Sequence, residues 1–317
     1  MRIVYPSADG GFAAAFGSGE LRARLEALGE LWIADDLPDD HELVRRVAES
    51  DVVLLTTHLP DEALRAAAGR LRLVAFSGTG AASYVSLPLA RELGITVTNV
   101  THYGDRAVAE LALGLMLAAA RDLPAGDRAV RAGRWSEIGP GRELAGSTLA
   151  VIGFGGIGRA VAALGHAIGM DVLVHARSVD DEVLGAVAGR LVSLDEAFDQ
   201  ADVVSLHLPL TTQTRGLIGR DLLDRLSPGA ILVNTARAEL IAPGALAARL
   251  ARGDIRAALD VYDPEPPAVD DPLLAAPGTV LSPHVGFRTP GAVARMAAGT
   301  VASVEAFVAG TPVNVVT

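Results

Sequence analysis

Leu149-Ala150-Val151-Ile152-Gly153-Phe154-Gly155-Gly156-Ile157-Gly158-Arg159-Ala160-Val161 decides how this chain folds. An apolar strand runs into spaced glycines, and a helical pattern opens at Ile157. Gly153 permits a tight turn, Gly155 lets the main chain approach a pyrophosphate, and Gly158 allows close helix–strand packing. The helix N-terminus would then face the phosphates. A glycine triplet alone also fits a merely tight strand-to-helix turn. The preceding strand, the following helix and a second strand at Asp171–His175 together favour a dinucleotide loop spanning Gly153, Phe154, Gly155, Gly156, Ile157 and Gly158.

The second strand leads into Ala176-Arg177-Ser178. A site for NAD(H) places Asp or Glu about twenty residues beyond the glycine run, on the ribose 2′-hydroxyl. Eighteen residues past Gly158 stands Ala176, followed by a cation and a hydroxyl. Arg177 and Ser178 suit a 2′-phosphate, so NADP(H) is expected ahead of NAD(H). Arg177 could also stack on adenine in either cofactor.

Outward from this loop, short apolar runs alternate with Ala/Leu-rich helical patterns, the signature of helices wound on a parallel sheet. In the first hundred residues the strands read as Arg2–Tyr5, Glu30–Ala34, Asp51–Thr56, Leu71–Phe76 and Ile95–Asn99. Helical stretches at Leu21–Leu28, His41–Glu49 and Asp61–Ala68 separate them. A second series reads Thr148–Ile152, Asp171–His175, Asp202–Leu206, Ala230–Thr235, Ala257–Val261 and Thr279–Ser282. The expectation is an α/β chain of two doubly wound parallel-sheet domains, Rossmann-like and flavodoxin-like, with a cleft between them. Helices near Arg106–Arg121 and Pro290–Val308 form the expected seam. The closing Gly310–Val316 reads as a return to the first unit, so that unit would comprise residues 1–99 and 288–317, and the cofactor domain 100–287.

Composition narrows the chemistry. At 317 residues, the length suits about two domains. A net charge of −11, from 27 basic and 38 acidic residues, argues against nucleic acid or an anionic membrane as partner. There is no Cys, which excludes disulfides, thiolate metal sites and a cysteine nucleophile. There is no Lys either, which excludes a Schiff-base lysine and a P-loop lysine. The six histidines other than His284 (His41, His58, His102, His166, His175 and His207) show no metal-ligand spacing, so no metal is expected. The N-terminal Met1–Pro6 reads as a strand rather than a signal peptide. Leu111–Ala120, the longest uncharged apolar helical run, is too short to span a bilayer. The expected setting is cytoplasmic.

Three later strand ends each deliver a different polar group. Ala230–Ala236 ends in Arg237, Asp260–Pro264 leads to Glu265, and Thr279–Pro283 ends in His284. Ligands of open α/β sheets bind beyond the carboxyl ends of the strands, so a cation, a carboxylate and an imidazole could converge there. Each also has a plainer reading. His284 could be a surface or capping histidine, Glu265 a solvated loop residue, and Arg237 an ion-pair partner of Glu239.

These motifs resemble the D-isomer-specific 2-hydroxyacid dehydrogenase family. The resemblance is carried by Gly153–Gly158, His207-Leu208-Pro209-Leu210-Thr211, Asn234-Thr235-Ala236-Arg237, Asp260 through Glu265-Pro266, and Ser282-Pro283-His284-Val285-Gly286. It extends to Ser77-Gly78-Thr79-Gly80, Val108-Ala109-Glu110 and Gly310–Asn314. It implies that His284 is the general acid protonating a keto oxygen, and that Glu265 hydrogen-bonds the imidazole and stabilises its protonated form. It implies that Arg237, with main-chain amides around Thr79 and Gly80, holds the substrate carboxylate. Asp260 would stand near the nicotinamide carboxamide. His207, Pro209, Thr214, Thr235, Ala236, His284 and Gly286 would border the cofactor.

The implied activity is interconversion of 2-keto acids and D-2-hydroxy acids, of the glyoxylate or hydroxypyruvate reductase sort, with closure of the two domains excluding water. A homodimer through residues 100–145 is also implied. Two departures stand out. Ala238 follows the arginine where the family usually has Gly, and Ala82 stands where an Asp is common. Tyr103, Trp135 and Phe287 are candidate walls for the substrate. The competing reading is a cofactor-sensing binding protein similar to the C-terminal-binding-protein corepressors. A formate dehydrogenase is disfavoured by Glu265, where that group usually carries Gln.

Overall fold

The computed structural model describes residues 1–8, 12–135 and 139–317. The chain divides into two compact units, Met1–Gly104 with Arg288–Thr317, and Asp105–Phe287.

The first unit is built on five parallel strands: β1 (Arg2–Tyr5), β2 (Glu30–Ile33), β3 (Val52–Leu55), β4 (Leu73–Phe76) and β5 (Thr96–Thr98), in the order β2-β1-β3-β4-β5. β3 (Val-Val-Leu-Leu) and β4 (Leu-Val-Ala-Phe) are buried at every position, as expected of central parallel strands covered on both faces. β2, at the sheet edge, alternates between exposed and half-buried. The helix Pro290–Val308 begins at Thr289, whose side chain accepts the Ala292 amide, with proline in the first turn. By length and composition it could cross a membrane, but it packs on β4 and the helix Gly19–Leu28 of the same unit. Its Thr300 hydroxyl donates to Ser77 Oγ in the interior, and Arg24 clamps Glu305 with two hydrogen bonds. It therefore serves as a core helix. The chain end lies along β5, with Val316 N–H donating to Val97 and Asn99 N–H donating to Asn314.

The second unit carries seven parallel strands: β6 (Thr148–Ile152), β7 (Asp171–His175), β8 (Arg190–Leu191), β9 (Val203–Leu206), β10 (Ile231–Asn234), β11 (Arg256–Leu259) and β12 (Thr279–Leu281). Their order is β12-β11-β10-β9-β6-β7-β8, the dinucleotide-binding arrangement extended by one strand. The order reverses between β6 and β9, paired from Leu149↔Val203 to Ile152↔Leu206. That reversal places the crevice beyond Ile152 and Leu206. Core residues pack on both faces, among them Phe198, Leu223 and Leu250 on one side and Met116, Val161 and Met170 on the other. Burying each large side chain is worth roughly 1.5–3 kcal/mol.

All eleven strands read from the sequence are present, mostly shorter by a residue or two at their ends. The additional strand, β8, has two exposed residues at the sheet edge and no apolar run to announce it.

Candidate active site

The glycine loop sits at the sheet's reversal point. Gly153 has φ +100°, and a Cβ there would lie 2.7 Å from the His207 carbonyl carbon. Its N–H donates to the His175 carbonyl, while the His207 amide donates to Ile152. Gly158 is equally constrained, since its Cβ would run into the Gly153 carbonyl oxygen. Gly155 is different. Its φ is −76° and nothing lies within 4 Å of the Cβ position. The protein leaves that space open where a ligand's phosphates would approach. The helix Gly156–Ala167 starts here, so the amides of Gly156, Ile157 and Gly158 have no partner within the helix itself. The Phe154 ring is buried in the core, so within this loop its main chain faces the open side.

Among the described residues, two buried polar atoms have no partner at the ends of neighbouring strands, His207 Nδ1 beyond β9 and Thr235 Oγ1 beyond β10. Orphaned groups of this kind call for an explanation, and an absent polar ligand supplies one. The His207 Nε2 faces Ser205 Oγ at 2.8 Å. Burial holds this imidazole's pKa down at about 3. The Arg177 and Ser178 side chains, beyond β7, are exposed and make no hydrogen bond or ion pair among the described residues. Open space at Gly155, the orphaned atoms and the free cation all fit a nicotinamide dinucleotide. Pro209 and Thr214 play a more local part. Thr214 Oγ1 donates to the Pro209 carbonyl and accepts from Thr211 N–H, which ties together the loop carrying both residues expected at the cofactor.

The ends of β10, β11 and β12 carry the titratable groups. His284 Nδ1 lies 2.6 Å from Glu265 Oε2, with both side chains partly exposed. Glu265 Oε1 accepts the Tyr262 N–H at 3.0 Å, which orients the carboxylate from its other side. Burial pushes the Glu265 pKa upward. The hydrogen bond and charge of His284, the Tyr262 amide and the charge of Arg237 outweigh it, leaving the group below the usual glutamate range. The Nδ1 contact leaves His284 Nε2 as the ring nitrogen able to exchange a proton with a ligand. Phe287 packs edge-on against the His284 ring at 5.9 Å.

Arg237 forms no ion pair among the described residues; Glu239 faces Arg215 instead, at 3.6 Å. Its guanidinium donates to the Ala236 carbonyl at 2.7 Å. The turn that presents it is built by Asn234, which the sequence reading did not single out as a site residue. Asn234 is 1% exposed, donates from Nδ2 to the Arg237 carbonyl and accepts the Ala236 amide on Oδ1. An Asn ending a buried strand before a turn was the available signal, because one amide can satisfy both a donor and an acceptor.

Asp260 and Gly286, both expected beside the cofactor, are joined to each other and to the His284 turn. Asp260 is 1% exposed and accepts hydrogen bonds from Ser282, Val285 and Gly286. Gly286 is buried, with its N–H on that carboxylate.

Thr79 and Gly80 lie in the first unit. Thr79 Oγ1 donates to the Val100 carbonyl, and its own carbonyl accepts from Asn99 Nδ2. The amides of Thr79 and Gly80 make no hydrogen bond among the described residues, as an anion-binding turn requires. Tyr103 also belongs to the first unit, and its carbonyl accepts from Arg295 Nε. Trp135 is 82% exposed. Of the segment expected to form a homodimer, residues 136–138 lie outside the described residues. Among the described residues, no group of His, Asp and Glu is arranged to hold a metal ion.

The second unit is thus a Rossmann-type dinucleotide-binding fold with an imidazole–carboxylate pair and an unpaired guanidinium at adjoining strand ends. Residues 113–286 match the family model described as D-isomer specific 2-hydroxyacid dehydrogenase, NAD binding domain. The glyoxylate reductase of Aeropyrum pernix is 37% identical over 299 residues, covering 90% of this chain and 89% of the relative. The D-3-phosphoglycerate dehydrogenase of Methanocaldococcus jannaschii is 37% identical over 282 residues, covering 87% of this chain but 53% of the relative. This chain therefore spans about half the length of that enzyme. The crystal structure of the TT0316 protein from Thermus thermophilus superposes with a TM-score of 0.84 at 36% identity, covering both chains completely. The chain belongs to the D-isomer-specific 2-hydroxyacid dehydrogenase family, a family of nicotinamide-dependent oxidoreductases acting on CH–OH donors.

Proposed function

We propose that this protein interconverts small 2-keto acids and D-2-hydroxy acids, as a reductase of the glyoxylate or hydroxypyruvate type favouring NADP(H). The observation that carries the reading is the 2.6 Å contact of His284 Nδ1 with Glu265, on strand ends adjoining the unpaired Arg237. A bound nicotinamide supplies or accepts the hydride. His284 Nε2 delivers a proton to the keto oxygen in reduction and removes it in oxidation. Glu265 fixes the ring's orientation and stabilises the imidazolium. Arg237 pairs with the substrate carboxylate through its planar fork.

The glyoxylate reductase relative, matched over nearly its whole length, favours a small keto acid. The unpaired Arg177 and the absence of a carboxylate at Ala176 favour the 2′-phosphate of NADP(H). Exposed Leu117, Leu123, Val130 and Trp135, all within residues 100–145, suit a homodimer contact there.

The test follows NADPH and then NADH oxidation by absorbance with glyoxylate, hydroxypyruvate, pyruvate, phenylpyruvate and 3-phosphohydroxypyruvate. Turnover with an unphosphorylated small keto acid, faster with NADPH, is expected. His284→Ala should cut turnover about 10²–10⁴-fold while cofactor still binds. Turnover within a few-fold of wild type would remove the histidine from the mechanism. Arg237→Ala should mainly raise the keto-acid KM.

A further inference from the structure

Asp260 is the most enclosed carboxylate among the described residues, and every hydrogen bond its carboxylate accepts comes from the turn that carries His284. Its Oδ1 accepts from Ser282 Oγ at 2.6 Å and from Val285 N–H at 2.9 Å. Its Oδ2 accepts from Gly286 N–H at 2.8 Å. No cation pairs with it among the described residues. Three donors from residues 282, 285 and 286 thus bracket His284, which has φ +52°.

A non-glycine residue holds that left-handed backbone only when its surroundings over-determine it. One carboxylate facing two successive amides supplies such a constraint. Gly286 allows the close approach, since a Cβ there would lie 3.1 Å from Oδ2. The Tyr262 hydroxyl donates to the Ser282 carbonyl, and its amide to Glu265. Asp260 itself hangs from β10 through its N–H on the Asn234 carbonyl. The frame holding the imidazole is therefore continuous with the one holding its carboxylate partner.

We propose that Asp260 is a positioning residue that grips residues 282, 285 and 286, holds the His284 backbone in its left-handed conformation, and so keeps Nδ1 on Glu265 and aims Nε2. This role is additional to the cofactor contact that family resemblance implies. It rests on the acid–base role given to His284 under the proposed function. An Asn at this position would set its amide N–H against one of the backbone N–H donors. The turn would relax and the imidazole would shift, and a displacement of about 1 Å can cost roughly 10²-fold in rate.

The test compares wild type with Asp260→Asn and Ser282→Ala in the full chain. Four quantities are read: kcat, KM, the NADPH dissociation constant by fluorescence titration, and the His284 Nδ1–H resonance in histidine-labelled protein. Asp260→Asn should lower kcat about 10²-fold and shift or abolish the Nδ1–H resonance of the cofactor-free protein, whatever its effect on NADPH affinity. Ser282→Ala removes one of the three donors and should lower kcat about three- to tenfold with the same affinity. This milder variant keeps the test decisive if Asp260→Asn does not fold. Tenfold weaker NADPH binding with an unchanged His284 resonance would overturn the proposal in favour of a cofactor contact. So would kcat within twofold of wild type in both variants. If wild-type protein reduces no keto acid, the functional reading fails separately, and the resonance and the NADPH titration still decide the role of Asp260.

Discussion

Acidification from pH 8 to pH 5 should cost the cofactor-free protein about 2 kcal/mol of stability through His207 alone. The ring sits beyond β9 with Nδ1 buried and unpartnered, and Nε2 on the Ser205 hydroxyl. Protonation would place a second N–H donor where no acceptor waits, and would bury a charge without a counter-ion. Burial accordingly lowers the pKa from 6.5 to about 3. Between these values the unfolded chain takes up a proton that the folded chain refuses. Stability is therefore unaffected above pH 6.5, falls as pH drops through the window, and stops changing below about 3. Each pH unit is worth about 1.36 kcal/mol, so 1.5 units of window at pH 5 give about 2 kcal/mol, roughly thirtyfold in the folding equilibrium. Urea unfolding followed by circular dichroism at several pH values would measure it, with His207→Asn as the reference lacking the titrating ring. The difference in stability between wild type and variant should shift by that amount from pH 8 to pH 5. Parallel stability profiles for the two proteins would refute the reasoning.

Replacing either of two glycines should weaken cofactor binding, with different effects on stability. Gly153→Ala combines φ +100° with a 2.7 Å approach to His207, so it should lose about 1–3 kcal/mol of stability and weaken NADPH binding at least tenfold. Gly155→Ala meets open space at an ordinary φ, so melting should match wild type while NADPH affinity falls about tenfold. Unchanged affinity in the second variant would remove the pyrophosphate from that space. Glu265→Gln should lower kcat about 10–100-fold, because the His284 ring loses its charged partner. Since the Glu265 pKa lies below its unfolded value of 4.5, its ionised contacts contribute stability fully above that pH and lose it as pH falls further. The variant should show a shallower acid loss than wild type, and an equal loss would contradict the coupling.

The fold was legible because its signals are local. Val52–Leu55, Thr148–Ile152 and Ile231–Asn234 are short apolar runs punctuated by glycine and polar turns, and each became a strand. β8 escaped notice because Arg190–Leu191 pairs at an edge and buries neither side chain. At the candidate site, residue types at strand ends could be named in advance, but their partners could not. Glu265 meets His284 across 19 positions of sequence, and Glu239, a plausible mate for Arg237, turns to Arg215.

The sequence by itself determined the alternating parallel architecture, the glycine cradle and the chemical types available, since each follows from backbone freedom, hydrophobic run length or side-chain functional groups within a few residues. Only the tertiary structure decided what those groups do. Phe154 entered the core, Thr214 closed its own loop, and Asp260 turned inward to hold the His284 turn. A buried polar atom takes whichever donors or acceptors the packed strands bring within about 3 Å, and that choice is made by folding rather than by neighbours along the chain.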